Sequence, residues 1–302
     1  MADEQFRQDR FSASIFSRRD VGPGLIRRSF WPGFFSRVAS RLQWDARVID
    51  LTSDAAAWPE LPDERRARLT TLLCGFCVAE DAVAEHLLPY RDASKRASMA
   101  SDEDLMAWVF FLQRRDEIRH AAFFDRVAGE VLRLPGDTPA ERRDAARAEV
   151  PAGVLELFEE RLPAVAGELA EERRELAAGV GLYHMILEGI VFGAGQSALL
   201  DDLEDGALPG VRDGVTRIEL DERWHVGFGL RCLIECKPSR EAMDELLARG
   251  ADANGAWGDA VPAAMRERAA RMFARRLSVA HLTDPHASTE ARVAADARTR
   301  AA

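Results

Sequence analysis

Two copies of one figure, a glutamate followed three residues later by a histidine, stand out for their chemistry: Glu117-Ile118-Arg119-His120 and Glu222-Arg223-Trp224-His225. Each copy follows a lone glutamate set among apolar residues. Glu80 lies in Phe76-Cys77-Val78-Ala79-Glu80, and Glu188 in Leu182-Tyr183-His184-Met185-Ile186-Leu187-Glu188. Residues three apart share one face of a helix, so the Glu and His of a pair can address the same ion. Four carboxylates and two imidazoles hold two hard or borderline cations and leave positions open for oxygen. With 6 His and 51 acidic residues in the chain, one Glu-x-x-His is expected by chance. Order and setting argue against chance here. The sequence runs Glu, Glu-x-x-His, Glu, Glu-x-x-His, and apolar neighbours flank every copy. Buried ionisable groups need a partner, and six on inward faces call for shared cations.

Four helices must carry these residues. The first begins at Pro62-Asp63-Glu64, with acidic residues in its first turn, and runs to Leu88, where Pro89 stops it. Leu69, Leu72, Leu73, Phe76, Cys77, Glu80, Val83, Ala84 and Leu87 follow the i, i+3, i+4, i+7 rule, which puts Glu80 on the apolar stripe. Asp102-Glu103-Asp104 opens the second helix, whose stripe includes Phe110, Glu117, His120 and Phe124. Residues 133–153 form a crossover with a short Arg/Ala-rich helix, and a helical stretch over 154–170 leads to the third motif helix, 171–201. That helix carries Gly179, Gly181, Gly189, Gly193 and Gly195, each costing about 1 kcal/mol relative to Ala inside a helix. Such density predicts close helix approach, a bulge or a widened cavity beside Glu188. The fourth runs from Gly210 to Glu235, and its Asp221 is placed to hydrogen-bond a ligand histidine or to face solvent. Two more helices, 239–250 and 260–279, complete the expected all-α fold, a ferritin-like four-helix bundle with additional helices.

The chain divides into an arm over 1–30, one metal-binding domain over 31–283 and an Ala/Arg/Asp-rich tail over 284–302. Apolar residues make up 47% of the 302, enough for a large core. The net charge of −10 argues against nucleic acid. No apolar run reaches a membrane span and no secretory signal opens the chain, so the expectation is a cytoplasmic protein. Cys74 and Cys77 form a Cys-x-x-Cys, and Cys232 and Cys236 follow His225. The two pairs fall about 20 Å apart along a bundle with parallel first and fourth helices. Core packing is therefore expected rather than a four-cysteine zinc site.

From Trp44 to Cys236 the motifs resemble the small subunit of ribonucleotide reductase and, more closely, its relatives the ligand-binding oxidases with a mixed manganese/iron centre. The family's ligand order maps onto Glu80, Glu117, His120, Glu188, Glu222 and His225, and its electron-conducting tryptophan onto Trp44. The reductase's radical tyrosine falls seven residues after the first motif glutamate, where this chain has Phe124, and the tail holds no aromatic residue. The oxidases' ether cross-link joins positions that here are Val83 and Tyr183, one of only 2 tyrosines. The resemblance implies an O₂-dependent oxidase with Mn in the first triad and Fe in the second, or two Fe. It also implies an electron donor, a homodimer, and a long-chain fatty acid or similar apolar ligand whose carboxylate bridges the metals. Alternatives are a di-iron desaturase or N-oxygenase (Asp116-Glu117-Ile118-Arg119-His120 also resembles the Asp-Glu-x-Arg-His of acyl-carrier desaturases), the reductase subunit itself, and a non-catalytic metal- or lipid-binding protein.

Overall fold

The computed structural model describes residues 31–97, 99 and 101–282; the expected arm and tail lie outside the described residues. Helices account for nearly all of what is described: α1 (Trp31–Arg41), α2 (Asp63–His86), α3 (Leu88–Arg96), α4 (Glu103–Arg126), α5 (Pro139–Ala146), α6 (152–170), α7 (Leu176–Asp202), α8 (Pro209–Cys236), α9 (Arg240–Ala253) and α10 (Ala263–Leu282). The four motif helices are α2, α4, α7 and α8. α2 lies along α4, α7 lies along α8, and α1, α3, α9 and α10 wrap the outside. One continuous apolar cluster runs through all of them.

Local chemistry sets the boundaries. The Asp102 carboxylate caps α4 by accepting from the Leu105 N–H, and a Thr138/Glu141 capping box opens α5. α8 is capped from a distance. The fully buried Asp54 carboxylate accepts from the N–H groups of Gly210 (3.0 Å) and Val211 (2.7 Å), setting negative charge against the positive end of the helix that carries Glu222 and His225.

Several expectations change. α2 stops at His86, and Pro89 sits in the first turn of α3, where its missing N–H is harmless. α1 is an additional helix ahead of the four motif helices, its Trp31, Phe35 and Val38 packing on the core at helical spacing. The third motif helix starts at Leu176 rather than 171, because Glu172 takes a left-handed conformation (φ 58°) and breaks the chain there. α7 is also long and apolar enough to cross a membrane by length and composition, contrary to the sequence expectation, yet 83% of its apolar window is buried among the other helices.

The glycine-rich stretch of α7 is a bulge. Residues Gly181–Phe192, which include Tyr183, His184 and Glu188, form a π-helix. Wider turns of this kind shift side-chain register and are frequent at functional sites. Glycine on α8 brings the motif helices together. A Cβ at Gly214 would lie 2.0 Å from the Phe123 ring of α4, and one at Gly229 would lie 2.2 Å from the His184 side chain of α7. No larger residue fits either crossing.

Candidate dinuclear metal centre

Glu80 from α2, Glu117 and His120 from α4, Glu188 from α7, and Glu222 and His225 from α8 meet at the centre of the bundle. None is more than 4% exposed. Their donor atoms form two groups, Glu80/Glu117/His120/Glu222 and Glu117/Glu188/Glu222/His225. His120 Nδ1 lies 3.5 Å from Glu80 Oε2, 3.2 Å from Glu117 Oε2 and 3.4 Å from Glu222 Oε1. His225 Nδ1 lies 3.0 Å from Glu117 Oε1, 3.3 Å from Glu188 Oε1 and 3.4 Å from Glu222 Oε2. Glu117 and Glu222 thus each give one oxygen to either group. Donors sharing one ion at about 2.1 Å sit about 3 Å apart when cis, which is the spacing found.

Burying this much charge is costly unless something neutralises it. Both oxygens of Glu80, both of Glu222, Glu188 Oε2 and both ring nitrogens of His225 have no hydrogen-bond partner. His225 Nδ1 is close to three carboxylates without hydrogen-bond geometry to any, so proximity here is not hydrogen bonding. Burial drives the Glu80 carboxyl well above its ordinary range, and drives Glu188, with Glu222 beside it, up to about 8. Burial would raise Glu117 too, but His225 and His120 hold it well below. Both imidazoles are pushed up despite burial, His120 by Asp221 and the glutamates and His225 by Glu117, Glu222 and Glu188. Protein alone leaves these groups in conflict. Two divalent cations would resolve it, replacing protons among four carboxylates and using the orphaned atoms as donors.

The surrounding shell was only partly visible in the sequence. Asp221 Oδ2 lies 3.1 Å from His120 Nε2 and accepts from Trp44 Nε1 at 2.8 Å and Arg119 Nη2 at 2.8 Å. The Trp44 indole stacks near His120 (16° between planes) with the Arg119 guanidinium 4.9 Å from its centroid. Asp116 escaped the sequence reading. It is fully buried, lies 3.7 Å from His225 Nε2, and pairs with Arg119 Nη2 at 3.0 Å. Each motif's leading aspartate therefore backs the histidine of the other motif, with Arg119 linking the two. The repeated Asp-Glu-x-x-His was the available signal.

Gln113 and His184 were missed as well. The Gln113 amide donates to Tyr183 Oη at 3.0 Å and Glu188 Oε1 at 2.9 Å, and its oxygen faces His184 Nε2 at 3.1 Å. Gln113, Glu117 and His120 follow the i, i+4, i+7 spacing of a single face, which marks Gln113; nothing local marks His184. Burial takes the His184 pKa down to about 3, so its ring is neutral and donates from Nε2. With the Gln113 N–H pointed at its oxygen, Tyr183 gives its own proton to Glu117 Oε1 at 2.7 Å. Val83 is fully buried one turn beyond Glu80. Phe124 is buried against Phe76, rings 5.1 Å apart.

The cysteines are free; three are buried and Cys236 is partly so. Among the described residues none joins a metal-holding group. Burial pushes the thiols of Cys74, Cys77 and Cys236 up to about 12. Their packing role follows from that environment.

No family model matches the sequence. Among solved structures, the chain is similar to a variant R2-like ligand-binding oxidase with aerobically reconstituted Mn/Fe cofactor, at 20% identity and TM-score 0.68, covering 82% of this chain and 92% of that one. A second variant with anaerobically reconstituted Mn/Fe cofactor gives 20%, 0.67, 82% and 92%. A third, with Fe/Fe cofactor, gives 20%, 0.66, 82% and 92%. The likeness establishes the fold, a ferritin-like bundle of the R2-like type, which the motif order led one to expect.

Proposed function

We propose that this chain is a dinuclear metal oxidase that uses O₂ to oxidise an organic ligand. The observation that carries the reading is the pair of buried imidazoles, each faced by three carboxylate oxygens at 3.0–3.5 Å, with orphaned donor atoms all around. Glu80, Glu117, His120 and Glu222 would hold one ion, and Glu117, Glu188, Glu222 and His225 the other. The similar structures carry Mn/Fe or Fe/Fe pairs; manganese in the first group and iron in the second is what the family resemblance implies, with two irons as the alternative. The metal pair, when bound, supplies the reduction of O₂ and the oxidising power for a C–H bond.

The chain's own residues do the rest. Asp221 and Asp116 orient the two histidines, and the apolar core keeps water out. Trp44, hydrogen-bonded to Asp221 behind His120, is the route by which a donor's electrons arrive. Gln113 fixes the Tyr183 phenol with its proton on the Glu117 side. In the cross-link we assign to Val83 and Tyr183, a C–O bond forms as the valine C–H and the phenol O–H are lost. The two protons and two electrons pass to O₂. A cavity of about 300 Å³ reaches Glu188 and Glu222 from outside, lined in part by Val226, Met265, Ala269 and Met272, and accommodates an apolar chain such as that of a fatty acid. The family resemblance implies that the enzyme works as a homodimer.

Loading with Mn(II) and Fe(II) without oxygen, then exposure to air and peptide mass spectrometry, tests the reading. Two metals per chain and a linked Val83–Tyr183 species two hydrogens lighter than its parts are expected. Two irons with unlinked peptides would favour a di-iron desaturase or N-oxygenase. Failure to bind either metal would remove the oxidase altogether.

A further inference from the structure

The two motifs differ in the residue that precedes the histidine. It is arginine in Asp116-Glu117-Ile118-Arg119-His120 and tryptophan in Asp221-Glu222-Arg223-Trp224-His225. Arg223 does not make up the difference, because it turns outward to Glu219 at 2.7 Å with its side chain 66% exposed. Trp224 is buried beside Phe35, and its indole N–H has no partner. One guanidinium is therefore left to serve two buried aspartates, one behind each histidine. Buried carboxylates without an opposite charge nearby are costly, so the place of that guanidinium matters to both.

Arg119 sits between them. Its Nη2 lies 2.8 Å from Asp221 Oδ2 and 3.0 Å from Asp116 Oδ1. Its Nη1 donates to Gln43 Oε1 at 2.9 Å, and Gln43 Nε2 donates to Asp116 Oδ1 at 3.1 Å. Asp116 is thus gripped at one oxygen from two sides, which leaves Oδ2 free. That oxygen and His225 Nε2 face each other at 3.7 Å, both fully buried, and neither has another partner. An orphaned acceptor opposite an orphaned ring nitrogen marks a contact that closes once the imidazole is engaged at its other nitrogen. Across the network, Asp221 Oδ2 already meets His120 Nε2 at 3.1 Å. A carboxylate at Nε2 keeps the ring proton on that side and leaves Nδ1 as a free donor. In both histidines Nδ1 is the nitrogen aimed at the glutamates.

We infer that Arg119 is a positioning residue for both halves of the centre at once. By holding Asp221 and Asp116 together it sets how the His120 and His225 rings present Nδ1, without joining either ligand group itself. The inference rests on the dinuclear reading for the use made of Nδ1; the orientation of the rings belongs to the metal-free chain.

The test is ring ¹⁵N NMR of the full chain with labelled histidine, metal-free, followed by Mn(II) titration without oxygen. In Arg119→Gln the His120 and His225 signals should both move, whereas Asp221→Asn should move chiefly the first and Asp116→Asn chiefly the second. His184, whose Nε2 faces Gln113 and neither aspartate, should stay in place, which separates positioning from general loosening. Arg119→Lys keeps the charge and should bring both signals part of the way back. Gln43 is exposed, so Gln43→Ala puts folding at little risk, and it should shift His225 more than His120. On titration, Arg119→Gln should weaken Mn(II) binding at both positions by about tenfold or more. Movement of the His120 signal alone in Arg119→Gln, an equal movement of His184, or no movement at all would overturn the inference. Failure of the dinuclear reading would show separately, as a native chain that takes up no Mn(II) while its ring signals respond as described.

Discussion

The two halves of the centre are built differently. On the His120 side, the grouped side chains come from the regular α2, α4 and α8, and the imidazole is backed at 3.1 Å by Asp221, itself held by Trp44 and Arg119. On the His225 side, one ligand comes from a π-helix, the backing Asp116 stands off at 3.7 Å, and both imidazole nitrogens lack partners. The cavity opens on this second side, at Glu188 and Glu222. One half is set before anything binds, whereas the other is left adjustable where a ligand arrives. Preorganised donors hold an ion with little rearrangement, and a wider helical turn lets Glu188 move without unpicking the bundle.

The hardest blow to this contrast is Glu117→Ala. Glu117 serves both halves, so metal content by elemental analysis should fall from two ions per chain to near none, whereas Glu80→Ala should lose one; equal losses would show that Glu117 is not shared. Next come the backing aspartates. Asp221→Asn should weaken binding at the first position about 10–100-fold, and Asp116→Asn should weaken the second by less, read by Mn(II) titration under nitrogen. The reverse order would sink the claim that the His120 side is the preorganised one. Gly229→Ala forces a Cβ into the His184 ring, at a cost of about 1–3 kcal/mol. At about 2–4 °C per kcal/mol, the melting temperature should drop visibly, and an unchanged value would mean that α7 and α8 do not cross as closely as described. The smallest effect is a non-event. With thiol pKa values near 12, the fraction of Cys74 and Cys77 ionised at pH 8 is roughly 1 in 10,000, so alkylation should be slow until the chain is denatured. Reactivity would rise with pH towards 12, the direction expected of a thiol held neutral by burial.

Legibility followed locality. Glu80, Glu117, His120, Glu188, Glu222 and His225 were readable because each breaks an apolar helical stripe, and a carboxylate on such a stripe needs a reason within its own helix. Asp221 was readable as one of two options, and the structure places it behind His120. Asp116, Gln113 and His184 were not read. Their partners lie on other helices, and a polar residue beside a motif looks the same whether it faces solvent or a ligand. The glycine density of α7 foretold a departure from regular helix without saying which kind, and the π-helix is its outcome. The break at Glu172 was missed because helix ends depend on what packs against them.

The order of residue types along the chain determined that this would be a helical bundle with six inward carboxylate and imidazole groups, since a 3.6-residue period and three-residue spacings are properties of one helix at a time. Tertiary packing alone decided that Glu117 and Glu222 span both groups, that each aspartate supports the opposite motif's histidine, and that α10 lines the way in. These depend on crossings between helices far apart in sequence, where distance and shared burial, not spacing along the chain, set the energy.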